Sequence, residues 1–107
     1  PPPLPPFGLL VILPPSANMV FDGLLFASFK TTLNVNVTAP VFRHMVPGNL
    51  YTFILQQNAT GGFTFAWPAN VHNATMVDPT PNGGTIQTFI ADESGDLWPI
   101  GPGTYYS

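Results

Sequence analysis

Charge is what this sequence has least of. Only 7% of its 107 residues are Asp, Glu, Lys or Arg, where about 25% is usual for a soluble domain. Two basic side chains, Lys30 and Arg43, cannot track a phosphate backbone, which excludes an electrostatic nucleic-acid binder. A net charge of -3 carried by so few groups also excludes an acidic tail or a polybasic membrane patch. Cysteine is missing altogether, so no zinc finger, iron–sulfur centre or disulfide framework can be built. Long apolar runs are missing as well. The longest, Phe7 to Leu13, falls far short of the roughly 20 residues a membrane-spanning helix needs. There is no initiator Met before Pro1-Pro2-Pro3, so the chain is expected to be a processed product or a fragment.

What is present is proline, glycine and alternation. With 14 prolines and 10 glycines, little room remains for helix, while the 45% hydrophobic content is too high for a disordered chain. Leu25, Ala27, Phe29, Thr31, Leu33, Val35 and Val37 alternate with mostly polar residues, the period of a half-buried strand. Tyr51, Phe53 and Leu55 repeat the pattern, as do Phe63, Phe65 and Trp67, and Ile86, Thr88 and Ile90 opposite Gln87, Phe89 and Ala91. Turn signals separate these runs. Asp22-Gly23 reads as a two-residue hairpin, and Asn58-Ala59-Thr60-Gly61-Gly62 as a Gly-containing hairpin loop. A short strand is expected around Ala74 to Val77, and an edge strand or tail after Trp98. Short strands with turns at near-regular spacing predict an all-β fold, a single antiparallel β-sandwich of jelly-roll type with an extended apolar N-terminal arm. The expected division is a Pro-rich arm with an apolar strand and hairpin over 1–31, then the sandwich over 32–107. No internal sequence repeat is apparent.

Candidate chemistry is sparse. His44 and His72 lack metal-ligand spacing and read as structural or surface residues. Asp92, Glu93 and Asp96 share a turn with Gly95, an exposed acidic hairpin turn without the spacing of a calcium loop. Neither a nucleophile elbow nor a phosphate loop occurs. No catalytic residue, cofactor or metal is expected, and the chain reads as a non-enzyme. Trp67 is in phase with Phe63 and Phe65 and is expected in the core, whereas Trp98, Tyr105 and Tyr106 could serve an interface or stack on a sugar. Sequons at Asn36, Asn58 and Asn73 are candidate glycosylation sites. Composition alone predicts about one such motif.

The stretch Asn49-Leu50-Tyr51-Thr52-Phe53-Ile54-Leu55-Gln56-Gln57-Asn58-Ala59-Thr60-Gly61-Gly62, followed by Phe63-Thr64-Phe65-Ala66-Trp67-Pro68, resembles a small β-sandwich module of bacteriophage tail fibres and related virion structural proteins. In that family a strand ends in Gln-Asp/Asn-Ala-Thr-Gly-Gly and the next ends in Trp-Pro. Leu33 to Pro40 is similar to the family's opening strand, and the resemblance runs from about Thr32 to Gly101. It implies a structural role in an extracellular or virion surface appendage and no reaction. The first 30 or so residues have no counterpart in it, and Pro99 stands where the family continues a strand.

The N-terminal arm must therefore be read from its own residues. Phe7, Leu9, Leu10, Val11, Ile12 and Leu13 lie between Pro5-Pro6 and Pro14-Pro15 and are apolar on both faces. Such a segment needs cover. It either caps its own domain or completes the sheet of the next subunit, as donated strands do, and a head-to-tail contact of that kind propagates. The expected partner is thus another copy of the chain, in a fibre or filament of phage-tail-fibre or pilus type. The alternative is a receptor- or glycan-binding module at a tail tip, with a surface glycan as partner.

Overall fold

A computed structural model describes residues 10–107. Phe7 and Leu9, at the start of the expected arm, lie outside them. The described residues form eight strands and no helix: β1 (Val11–Ile12), β2 (Val20–Asp22), β3 (Ser28–Leu33), β4 (Val41–Arg43), β5 (Leu50–Gln57), β6 (Gly84–Ala91), β7 (Leu97–Pro99) and β8 (Thr104–Tyr106). A large sheet runs β1-β3-β5-β6-β7, with β8 beside β7 on the same edge of β6; β2 and β4 form a small second sheet.

The fold is all-β, but its sheets are mixed rather than antiparallel. β1 pairs β3, β3 pairs β5 and β2 pairs β4, all parallel. Parallel neighbours cannot be joined by a tight hairpin, because the chain must return to the same end before it runs alongside. Here the return path is a strand of the other sheet. The chain passes from β1 through β2 to β3, then through β4 to β5, alternating between sheets. Val11 sits beside Phe29, Phe29 beside Phe53, and Phe21 beside Phe42. The backbone therefore winds repetitively although the sequence does not repeat.

Two expected hairpins are corrected by this winding. Asp22-Gly23 does not fold β2 back on a neighbouring strand. Leu24 N donates to Asp22 Oδ1 at 3.0 Å, and Leu25 N donates to Asp22 O at 3.2 Å. The turn sends the chain across to the large sheet, with Gly23 pressed against His44 O, Met45 Sδ and Tyr51 Oη, where a Cβ has no room. Asn58 to Gly62 likewise joins no pair of strands. Asn58 Oδ1 accepts Thr60 N at 2.9 Å and Gly61 N at 3.1 Å, and Gly61 and Gly62 take φ of 73° and 81°. The partner of β5 is β6, reached after a long excursion over residues 58–83. Within that excursion Phe63 to Trp67 keeps its inward alternation, but its one ladder contact is a bridge between Phe65 and Val37, and side-chain bonds from Gln57 and Asn36 hold the rest. No strand forms over Ala74 to Val77.

Aromatic rings fill the space between the sheets. Phe29 and Phe53, neighbours on the large sheet, stack at 5.3 Å and 9°. Phe21 and Phe42 reach them from the small sheet at 5.4 Å and 4.9 Å. Trp67, as expected, closes the end of the cluster against Phe65, Phe53 and Phe89. Each large side chain buried this way contributes about 1.5–3 kcal/mol. Four polar residues also point inward, namely Thr31, Gln57, Thr85 and Gln87, and each holds a segment that lacks sheet bonds. Gln57 binds Phe63 N, Phe63 O and Asp78 O at 3.1, 2.7 and 3.0 Å. Thr85 accepts Asp78 N, Gln87 accepts Thr75 N and donates to Gly101 O, and Thr31 donates to Leu13 O. Among the described residues no buried side-chain polar atom lacks a partner, so the long excursion is pinned without a ladder of its own.

Candidate functional site

The large sheet has two unlike faces. Phe29, Phe53 and Phe89 point into the core, and the alternate positions point away from it. At its two ends side chains lie over that outer face, the Tyr106 ring on Gly84 and the His72 ring on Trp98. Across it, register places Leu50 beside Ile90 and Ile90 beside Trp98 in one row. A second row places Ile12 beside Lys30, Lys30 beside Ile54, and Ile54 beside Ile86. Between them the hydroxyls of Thr52 and Thr88 bond at 2.9 Å. Lys30 is the one charged side chain in these rows. The alternation marked such outward positions as mostly polar, whereas register places Leu50, Ile54, Ile86 and Ile90 among them on one face.

At the end of the first row lies the main polar cluster. The His72 ring stacks on Trp98 at 4.0 Å and 13°, and its Nε2 lies 2.9 Å from Asp96 Oδ2. Trp98 Nε1 donates to Asp92 Oδ2 at 2.9 Å. The acidic turn is the connection between β6 and β7, closed by Asp92 N donating to Asp96 O and Gly95 N to Asp92 O, as the sequence led one to expect. The indole N–H, with the backbone N–H groups of Ser94 and Asp96, holds the Asp92 carboxyl below its ordinary value of 3.8. Proximity in sequence pointed His72 toward Asp78; the bridge between Val71 and Leu97 brings it to Asp96 instead. A second exposed group joins Asp22, Arg43 and His44. The Leu24 N–H, then His44 and Arg43, lower the Asp22 carboxyl. No hydroxyl nucleophile is hydrogen-bonded to either histidine among the described residues, and no group of three metal-ligating side chains occurs there. Both clusters fix turns, Asp92 through Ser94 N and Asp96 N, and Asp22 through Leu24 N. A hollow over Gly62–Phe65 and Met76–Pro79 holds about 290 Å³ and is lined mainly by apolar groups, at the bottom of the range for small-molecule sites.

The other expected site residues are spread over the surface. Leu10 and Ile12 are exposed, while Val11 and Leu13 pack partly on the core. Leu13 N donates to Lys30 O at 2.9 Å, so the described end of the arm lies along the edge of β3. Asn36 is exposed and its Oδ1 accepts Thr64 N at 3.0 Å. Asn58 is half-buried, engaged in its turn, and Asn73 is exposed with φ of 52°. Thr75, third residue of the Asn73 sequon, accepts Gly103 N at 2.7 Å. Tyr105 donates to Met76 O, and the Tyr106 ring covers Gly84, where a side chain has no room.

Extended sheet surfaces, turn clasps and loop-pinning amides define a structural module, in which shape and contact do the work. The family described as "Putative phage tail fibre C-terminal domain" matches residues 25–96, about two thirds of the chain, and the chain belongs to it. The match starts just before β3 and ends at the turn before β7. The domain is thus a structural component of a phage tail, carried on a virion surface appendage. No curated protein and no solved structure matches it.

Proposed function

We propose that this domain is a subunit that associates with copies of itself within the fibre, its N-terminal segment docked on or donated to a neighbouring copy. The observation that carries the reading is the slight hold on that segment. β1 is two residues long, sits at the sheet edge, and leaves Ile12 71% exposed. A strand so weakly anchored in its own chain can pair equally with the β3 edge of a neighbour, since the same backbone bonds form either way. The charge deficit supports the same reading, because a free monomer with 7% charged residues is poorly protected against association. Deleting Pro1 to Pro15 tests it. Light scattering is expected to show an assembly for the full chain and a single, β-rich chain for the truncation. A truncation that assembles unchanged excludes a role for the segment.

A receptor- or glycan-binding reading has one observation in its favour. Trp98 is 41% exposed beside the Asp92 and Asp96 carboxylates, a combination of ring and acceptor that sugars use. Binding to a glycan array that disappears with Trp98→Ala would favour it.

A further inference from the structure

We infer that the hollow over Gly62–Phe65 and Met76–Pro79 receives the proline-rich segment Pro1 to Leu9 of a second copy of this chain. The inference rests on the self-association reading and takes it in its docked form: β1 stays in its own sheet, and the residues before it reach the next copy.

The lining of the hollow defines its occupant. Phe65 and Val77 are buried, Phe63 is half-buried, and Gly62, Met76 and Pro79 are exposed. Met76, at 80%, is the most open of the large apolar residues described. No ionisable side chain lines the hollow. Its peptide groups are already engaged. Phe63 N and O bond to the Gln57 amide, Gly62 N donates to Pro79 O at 2.8 Å, and Met76 O accepts the Tyr105 hydroxyl. An entering chain therefore meets apolar surface with few free hydrogen-bonding partners, and every N–H it buries there unpaired is a cost. Proline has no N–H to bury.

Pro1 to Leu9 fits that requirement. Five of its nine residues are proline, the others are Leu4, Phe7, Gly8 and Leu9, and none is charged. Proline-rich sequences favour the polyproline II helix, which docks on aromatic-lined grooves without a ladder of backbone bonds. That helix has three residues per turn, so Leu4 and Phe7 fall on one edge of it as two apolar anchors.

The direction of the chain selects a second copy as the recipient. β1 runs parallel to β3 with Val11 beside Phe29, so Leu10 is level with Ser28 and the residues before it lead off that end of the sheet. The hollow lies toward the other end, where Gln57, level with Leu33, holds Phe63 and Asp78. Five strand steps of about 3.3 Å put roughly 16 Å between the two levels. The segment is thus aimed away from the hollow of its own chain and toward that of a copy placed in line beyond the Ser28 end. Nine residues of polyproline II span about 28 Å, enough to cross to that copy and lie in its hollow. Giving and receiving ends sit at opposite ends of one molecule, the head-to-tail arrangement that propagates into a fibre.

The chain has no cysteine, so introduced thiols test this directly. Full-length Gly8→Cys and Met76→Cys chains are mixed and mildly oxidised. The expected product is a disulfide-linked pair of twice 11.5 kDa, in which mass spectrometry finds the peptide around residue 8 joined to that around residue 76. With Leu25→Cys in place of Met76→Cys, an exposed position three residues before β3, the yield is expected to be at least tenfold lower. Met76→Lys is expected to weaken association at least tenfold with unchanged far-ultraviolet circular dichroism. A link to Leu25→Cys in preference to Met76→Cys places β1 on the β3 edge of the neighbour; it overturns the inference and leaves the self-association reading standing. So does an assembly that forms neither link, or a folded Met76→Lys chain that keeps the wild-type mass. A link between residues 8 and 76 that forms only when both thiols are in one chain overturns the inference in favour of the chain's own hollow. A wild-type chain of 11.5 kDa at every concentration overturns both.

Discussion

The two faces of the large sheet share the same strands and the same period of two, yet they are built from different chemistry. Inward, β3, β5 and β6 present Phe29, Tyr51, Phe53, Leu55 and Phe89, all at most 2% exposed. Outward, the same strands present Ser28, Lys30, Thr52, Ile54, Ile86 and Thr88, all half-buried. The inner face holds the chain together. The outer face carries a single lysine in these rows, with Thr and Ile beside it. A core residue and a surface residue can therefore occupy adjacent positions in the sequence, and only the placement of the second sheet tells which is which.

Substitutions on the two faces should differ sharply in cost. Phe53→Ala removes the ring that contacts Phe29, Phe21, Phe42, Trp67 and Phe89. It should destabilise the domain by about 3–5 kcal/mol in denaturant unfolding. Gln57→Leu keeps the volume but strands Phe63 N, Phe63 O and Asp78 O. A loss of about 2–3 kcal/mol is expected, together with faster hydrogen exchange over 63–78. Tyr51→Phe leaves Val46 N and Gly23 O without the hydroxyl they share and should cost about 1–2 kcal/mol by the same measurement. On the outer face, Thr52→Val deletes only the bond to Thr88 and should cost less than about 1 kcal/mol. An outer-face substitution as costly as Phe53→Ala would mean that the face is covered within the chain.

Acid adds a smaller effect with a definite sign. The Asp92 and Asp22 carboxyls lie below their ordinary value of 3.8 in the folded chain. Their contribution is complete above that value and is lost as pH falls through the lower folded values. The thermal midpoint should therefore drop on acidification below about pH 4, and Asp92→Asn should flatten part of that drop.

How much of this was legible in the sequence depends on the range of the interactions involved. Alternation found the inward faces of β3 and β5 and placed Trp67 in the core, because burial imposes a period that the chain itself carries; it separated the two faces of β6 without telling which is inward, and it ran on to Leu25 and Val35, which are exposed. Turn residues were found as well, but their meaning was not. Asp22-Gly23 and Asn58 to Gly62 make real turns, yet distant partners set the path of the chain beyond each. Gly23 lies under the Tyr51 hydroxyl and His44 carbonyl, and Phe63 is held by Gln57. Those contacts decide that the chain changes sheet or makes an excursion rather than a hairpin. The His72–Trp98–Asp92 cluster was hidden for the same reason, since its members meet only after β7 and the 71–72 segment pair across the sheet edge. The charge deficit was plain from composition, and the fold adds where part of it lies, on the outer face of the large sheet.

Sedimentation equilibrium of the full chain over a wide concentration range tests the central claim most directly. The account predicts a mass that is a multiple of 11.5 kDa and falls on dilution or on deleting Pro1 to Pro15. A constant 11.5 kDa at all concentrations would contradict it.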